Sequence, residues 1–252
     1  MHNQIVLYHR PDGFNSLLMP RIILVVILIL FWNFQSLSQD VPDLVDDIPP
    51  SKGFTSIDAI ETSFNNARRA EEIQLGLAPN TMPDLILPRQ EVWDEFTPEM
   101  KMLFLINDEK LSRNGISYNP KSQLNEKLLV PFQCYYSGMH DALNIMSQSH
   151  AQDMLDNDFL GHVGTDGRDT EDRLKDITLF VDEISSLFAE NFYFFTSSDP
   201  INLIEQLVAA IYAWIYEDKI VAFKHRQIIF IPKTVAEHGG LSFIDNHQEM
   251  DN

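Results

Sequence analysis

Ser149-His150-Ala151-Gln152-Asp153-Met154, followed by Phe159-Leu160-Gly161-His162, is the stretch on which the fold assignment turns. Behind it come Asp166-Gly167-Arg168 and Arg173, then Ala189-Glu190-Asn191, Trp214 with Glu217, and His225-Arg226. Histidine and carboxylate side chains bind metals or move protons near neutral pH, so elements that bring them together build a site.

Periodicity separates the members of this group. Around the opening stretch the spacing predicts a helix over about residues 140–157. With Leu143 at the origin, Met146, His150 and Met154 fall at about 300°, 340° and 20°. His150 therefore sits mid-way across the apolar face and reads as a structural core histidine with one satisfied hydrogen bond. A further helix is predicted from the Asp199-Pro200 cap, with Ile204, Leu207, Val208, Ile211, Trp214 and Ile215 on one side. Glu217 lies on its flank, either lining a groove edge or solvated. Two β-rich runs follow, at 227–231 and 240–244.

Upstream, Thr97-Pro98-Glu99 is a helix start, with an oxygen cap, proline in the first turn and an acid at the positive end. That helix is expected to run to Asn114-Gly115 and to group Met100, Phe104 and Leu111 near one face. An earlier helix is predicted from Ser56 to Leu75 through Ile57, Ile60, Phe64 and Ala67, with Gly76 as its left-handed exit. Residues 77–95, with three prolines, read as an irregular strap.

The order and wording of these elements resemble the CAP superfamily (cysteine-rich secretory proteins, antigen 5 and pathogenesis-related proteins) over residues 96–245. Leu105-Ile106-Asn107-Asp108-Glu109-Lys110 is similar to the opening helix word of bacterial members. The resemblance implies an α+β fold, a three-layer α-β-α sandwich with a small antiparallel sheet. It also implies a cavity lined by His162, Glu190, Glu217 and His225. In that arrangement His162 and His225 could hold zinc, and Glu190 or Glu217 could orient them or activate water.

Several positions depart from the family pattern. Ala189 precedes Glu190 where glycine is usual, Ile228 replaces a common asparagine, and residues 117–127 form a polar insertion. The chain ends in a polar tail, 246–252, without the final strand rich in tyrosine and threonine. The sandwich is therefore expected to lack that strand, unless Tyr193–Phe195 or the 77–95 strap covers the sheet edge.

At the other end, Ile22–Trp32 is an apolar run after Arg21, and Ser36-Leu37-Ser38 offers small residues where a signal peptidase reads. Eleven residues are fewer than the roughly 20 that span a bilayer. Residues 1–38 accordingly read as a secretory signal, with an uncleaved anchor as the alternative and Met19 as a compact second start. Acidic, proline-bearing 39–54 reads as a tether, and 55–95 as the helix and strap.

The formal charge is −19, and loss of Arg10, Asp12 and Arg21 takes it to −20. Such a surface repels phosphate backbones and anionic membranes, which excludes nucleic acid as a partner and disfavours membrane anchoring after cleavage. Cys134 is the only cysteine, so no intramolecular disulfide forms and a lipid-bearing mature N-terminal cysteine is excluded. With the signal, this points to a bacterial protein that is secreted, periplasmic or at the cell surface.

The function expected from these readings is a binding or interaction module whose ligand is small and apolar, lipid-like, or an extracellular protein. The alternative is a metal-assisted hydrolase using His162 and His225 as zinc ligands and Glu190 or Glu217 as general base. No Gly-x-Ser-x-Gly, phosphate loop, Gly-x-Gly-x-x-Gly or His-Glu-x-x-His word offers a competing chemistry.

Overall fold

A computed structural model describes residues 21–30, 43–113, 116, 136–139, 141–177, 187–196, 202–230 and 237–245. The chain divides into two compact units. A sheet unit comprises Met1–Trp32, Gly138–Leu203 and Glu237–Asn252; a helical unit comprises Asn33–Ser137 and Ile204–Ala236.

In the sheet unit the strands are β1 (Arg21–Leu30), β2 (Tyr136–Met139), β3 (Leu187–Thr196) and β4 (Glu237–Asp245), in the spatial order β2-β4-β1-β3. β1 pairs antiparallel on both sides. Ile27 stands opposite Glu190 of β3 and opposite Gly240 of β4. The segment that reads as the core of a signal is thus a central strand here, and a chain cut after Ser38 would lose it. Tyr193–Phe195 lies within β3, the end strand of that order, paired with β1.

Helix α4 (Asp141–Asp156) packs on β1 and β4, and α5 (Thr170–Leu174) packs on β3. As the periodicity predicts, Leu143, Met146, His150 and Met154 are buried on α4. Leu143, Met146, Ala151 and Met154 cluster with Leu174 of α5 and Phe192 of β3, so both helices lie over one face of the sheet. At about 25 cal/mol per Å² of apolar surface removed from water, such a cluster is what holds helix to sheet.

The helical unit begins with α1 (Ile57–Gln74), where Ser56 accepts the Ala59 N–H at 3.2 Å and Gly76 exits at φ 67°. Residues 77–95 are not wholly irregular, because Gln90–Glu95 form α2, whose Trp93 is buried. In α3 (Pro98–Ser112) Thr97 caps the Met100 N–H. Its buried face is not the expected one. Met100 and Leu111 are exposed, whereas Met102, Leu105, Ile106 and Glu109 are buried.

The reason is ionic. Arg68 of α1 donates to Glu109 from Nε (3.0 Å) and Nη2 (2.7 Å), and Arg113 donates to Glu71 from Nε (3.1 Å) and to Glu109 from Nη1 (2.7 Å). Arg226 of α7 (Lys224–Phe230) also reaches Glu71, and the Tyr216 hydroxyl donates to Glu109 at 2.7 Å. Mutually neutralised charges tolerate an interior that a lone charge does not. The apolar partner of this network is an aromatic cluster of Phe54, Phe64, Tyr212 and Tyr216, with Tyr212 and Tyr216 on α6 (Leu203–Tyr216).

Three expectations are corrected here. First, the three-layer α-β-α sandwich of residues 96–245 is overturned. Among the described residues helix outweighs strand, the helical unit has no full strand, and nearly all of α6 with α7 belongs to that unit rather than to the one holding the sheet. Second, residues 227–230 are helical, because the Asp218 carboxylate accepts the His225 and Arg226 N–H groups at 2.7 and 3.2 Å and starts α7 there. Third, the 39–54 segment is no free tether where it is described. Leu44, Ile48 and Phe54 are buried, and the Ile48 carbonyl accepts the Tyr212 hydroxyl at 2.9 Å.

The strand read at 240–244 is β4. Residues 1–20, 31–42, 117–127, Cys134, the Asp199-Pro200 cap and the 246–252 tail lie outside the described residues. Among the described residues no helix is long and apolar enough to cross a membrane.

Candidate functional site

The four histidine and acid positions fall two in each unit: His162 and Glu190 with the sheet, Glu217 and His225 with the helices. Each pair is built locally.

In the sheet unit α4 ends through Asp158, whose φ of 52° turns the chain back so that Phe159 N–H reaches the Met154 carbonyl at 3.1 Å. His150 Nε2 then donates to the Gly161 carbonyl at 2.8 Å, which fixes the loop carrying His162. Asp153 holds the far side of that loop by accepting the Thr165 N–H (2.8 Å) and hydroxyl (2.5 Å). Gly167, at φ 81°, allows the Asp166-Gly167 turn, and a side chain at Gly164 would meet Asp166 Oδ1 at 2.9 Å.

His162 is thereby set against β3. Its Nδ1 lies 2.7 Å from Glu190 Oε2 and its ring centroid 4.9 Å from that of Phe192. The same Glu190 oxygen accepts the Thr170 hydroxyl at 2.9 Å, and Arg173 Nη2 donates to both Glu190 oxygens at 2.9 and 3.1 Å. Burial alone would raise the Glu190 carboxyl, but the His162 hydrogen bond and the Arg173 charge outweigh it and hold it below the usual range. Burial lowers His150 in turn, against the pull of Glu190 3.9 Å away. A carboxylate with its lone pairs spent on three donors is a weak base and a poor metal ligand. Its work is to orient His162, whose side chain keeps 13% of its surface exposed.

In the helical unit His225 turns not to Glu217 but to Asp218, with Nδ1 2.6 Å from Oδ1. Ala222 and Phe223 both adopt left-handed φ (55° and 54°), and this uncommon pair folds the segment after α6 back over the start of α7. Both His225 and Asp218 are buried, and His225 Nε2 has no hydrogen-bond partner among the described residues. Glu217 is half-buried at the end of α6. Burial and the neighbouring charge of Asp47 push its carboxyl up.

The residues that sequence reasoning missed are Asp218, Thr170 and, as a Glu190 partner, Arg173. Asp218 carried a signal, because an aspartate a few residues before a His-Arg pair is a cap candidate for any helix opening there. Among the described residues no group of three or more His, Cys, Asp or Glu side chains is placed to hold a metal, although each candidate histidine directs Nδ1 to a carboxylate, an arrangement that leaves Nε2 as the ligand atom in metal sites. The expected zinc set of His162 and His225 with Glu190 or Glu217 is not brought together among the described residues. Comparison with known proteins returns no matching family model, no matching curated protein and no matching solved structure.

Proposed function

We propose that this chain is an exported binding or interaction module, related to CAP proteins through its local words, that takes a small apolar or lipid-like ligand. The observation that carries the reading is His162. Its ring is locked at Nδ1 by a buried carboxylate, packed against Phe192, and still partly exposed. An oriented polar edge beside an aromatic face suits a ligand with an apolar body and a polar group. Glu190 supports binding over hydrolysis, because a carboxylate held below its usual range by Arg173 and His162 is ill-suited to proton abstraction near pH 7. Export without cleavage after Ser38 is the form this reading takes, because the apolar segment before Ser36-Leu37-Ser38 is β1 of the sheet that carries Glu190; the acidic composition argues against nucleic acid.

Native mass spectrometry of the full chain with fatty acids and phospholipids tests this. The wild type is expected to carry a stoichiometric adduct that weakens about tenfold in His162→Ala, a loss typical of one good polar contact. Equal adducts in both proteins would defeat the reading, and capture of an extracellular protein without any lipid adduct would favour a protein partner instead.

A further inference from the structure

Before α1 the chain crosses the helical unit as a strap, residues 43–54, which Pro49 and Pro50 keep out of helix. Leu44, Ile48 and Phe54 are its buried anchors. Side chains of α1 hold its backbone: Gln74 Oε1 accepts the Val45 and Asp46 N–H groups at 2.7 and 3.0 Å, and Ser63 Oγ accepts the Lys52 N–H at 3.0 Å. The remaining contacts fall at and beyond the end of α6. Ile48 N–H donates to the Tyr216 carbonyl at 2.8 Å, and Asp47 Oδ1 accepts the Lys219 N–H at 2.9 Å. These two bonds bracket Glu217 and set Asp47 beside it. Further along, both oxygens of Asp43 accept from Gln227 Nε2, at 3.0 and 2.9 Å.

Charge is poorly balanced along this seam. The strap brings Asp43, Asp46 and Asp47 to Glu217 and Asp218, the latter bonded to His225. Of the cations facing them, Lys219 pairs with Asp46 and Arg226 with Glu71. Tyr212, the other titratable group against Glu217, donates its hydroxyl to the Ile48 carbonyl. Burial, and then Asp47, pushes the Glu217 carboxyl up. Burial, with Asp218 behind it, pushes Asp43 up against the pull of Gln227 and Arg226. A carboxyl that is harder to ionise with the strap seated takes up a proton on seating. Seating therefore weakens as the pH rises through the raised value.

We propose that residues 43–54 form a pH-responsive latch, seated across α1 and the end of α6 in mild acid and loosened toward neutral pH as Glu217 ionises beside Asp47 and Asp43 ionises in its half-buried place. The latch ties the incoming chain to the helical unit and is independent of the ligand proposed at His162.

Amide exchange of the full chain, followed by NMR at about pH 5 and about pH 7.5 and corrected for the intrinsic pH dependence of exchange, tests this. Protection of the Ile48 and Lys219 amides should fall about threefold or more over that interval, within a ceiling of about tenfold per pH unit for each proton released. Protection of Ile211 within α6 should not change. Glu217→Gln combined with Asp43→Asn keeps the shape of both side chains and should abolish the fall. Wild-type protection that stays flat or rises overturns the proposal without any variant, as does an equal fall at Ile211. A fall that survives in the double variant overturns it too. Should that variant not fold, Asp47→Asn on the exposed strap gives the same reading: the fall should shrink, and one left at full size defeats the latch.

Discussion

The two histidine–carboxylate pairs reach the same result by different means. In the sheet unit Glu190 is surrounded by side chains, a guanidinium, a hydroxyl and an imidazole, each from a different part of the loop and α5. In the helical unit Asp218 leans on backbone amides at the first turn of α7. A carboxylate held by side chains depends on a neutralising charge. One held by a helix start depends on the local chain path, here the two left-handed residues Ala222 and Phe223. The difference is one of what each pair fails with.

The largest expected separation comes from deleting residues 1–38. β1 pairs along the whole of β3, including Glu190, and along most of β4, so its loss should abolish amide-exchange protection across β3, β4 and α4. Protection of α1, α3 and α6 should persist. Equal loss in both sets, read by hydrogen-exchange mass spectrometry, would mean that the units do not fold separately.

Glu190→Ala should cost about 3–5 kcal/mol, because it leaves the Arg173 guanidinium nearly buried without its counter-charge. Asp218→Ala should cost less, about 1–2 kcal/mol, the range for loss of an N-cap. Urea denaturation of the two variants that reversed this order would undo the contrast between side-chain and backbone support.

Acid should sharpen it further, with the smallest effect at moderate pH. Glu109 is pulled down to about 2 because Arg68 and Arg113 outweigh its burial, and Glu71 is lowered by Arg113 and Arg226. A depressed folded-state pKa stabilises above the unfolded value and loses that contribution as pH falls through the folded one. The helical unit should therefore weaken progressively from about pH 4.5 to about pH 2, and Glu190 should weaken the sheet unit in the same direction. Stability that stayed flat over that window in pH-stepped denaturation would remove the ionic network from the account.

How much could be read beforehand follows the kind of force involved. Local rules were visible: the Ser56 and Thr97 caps, the Gly76 exit, the buried face of α4 with His150 in it, and the last strand. Their causes lie within one helical turn. The face of α3 was misjudged because hydrophobic spacing assigns charged residues to solvent, whereas Glu109 and Arg113 go inside with partners about forty residues away. Residues 227–230 have strand-like composition, and their helix is decided by an aspartate upstream. The run at 22–32 satisfies two descriptions in sequence, since a short aliphatic stretch reads alike as an export signal and as a strand, and Arg21–Leu30 pairs along both edges as β1. Of the site, the His162–Glu190 association was legible through its resemblance, while Asp218 required the fold.

The two-sided pairing of β1 also sets an order of events in time. Its partners are encoded late, β3 near residue 190 and β4 near residue 240, so the strand leaves the ribosome long before either exists. At about 5–20 residues per second that interval is roughly ten to forty seconds. Throughout it, an extended aliphatic run is exposed and available to anything that binds such segments. Completion of the sheet and departure of the segment are thus competing outcomes of one wait, and slowing or speeding synthesis between codons 30 and 240 should shift the balance between them.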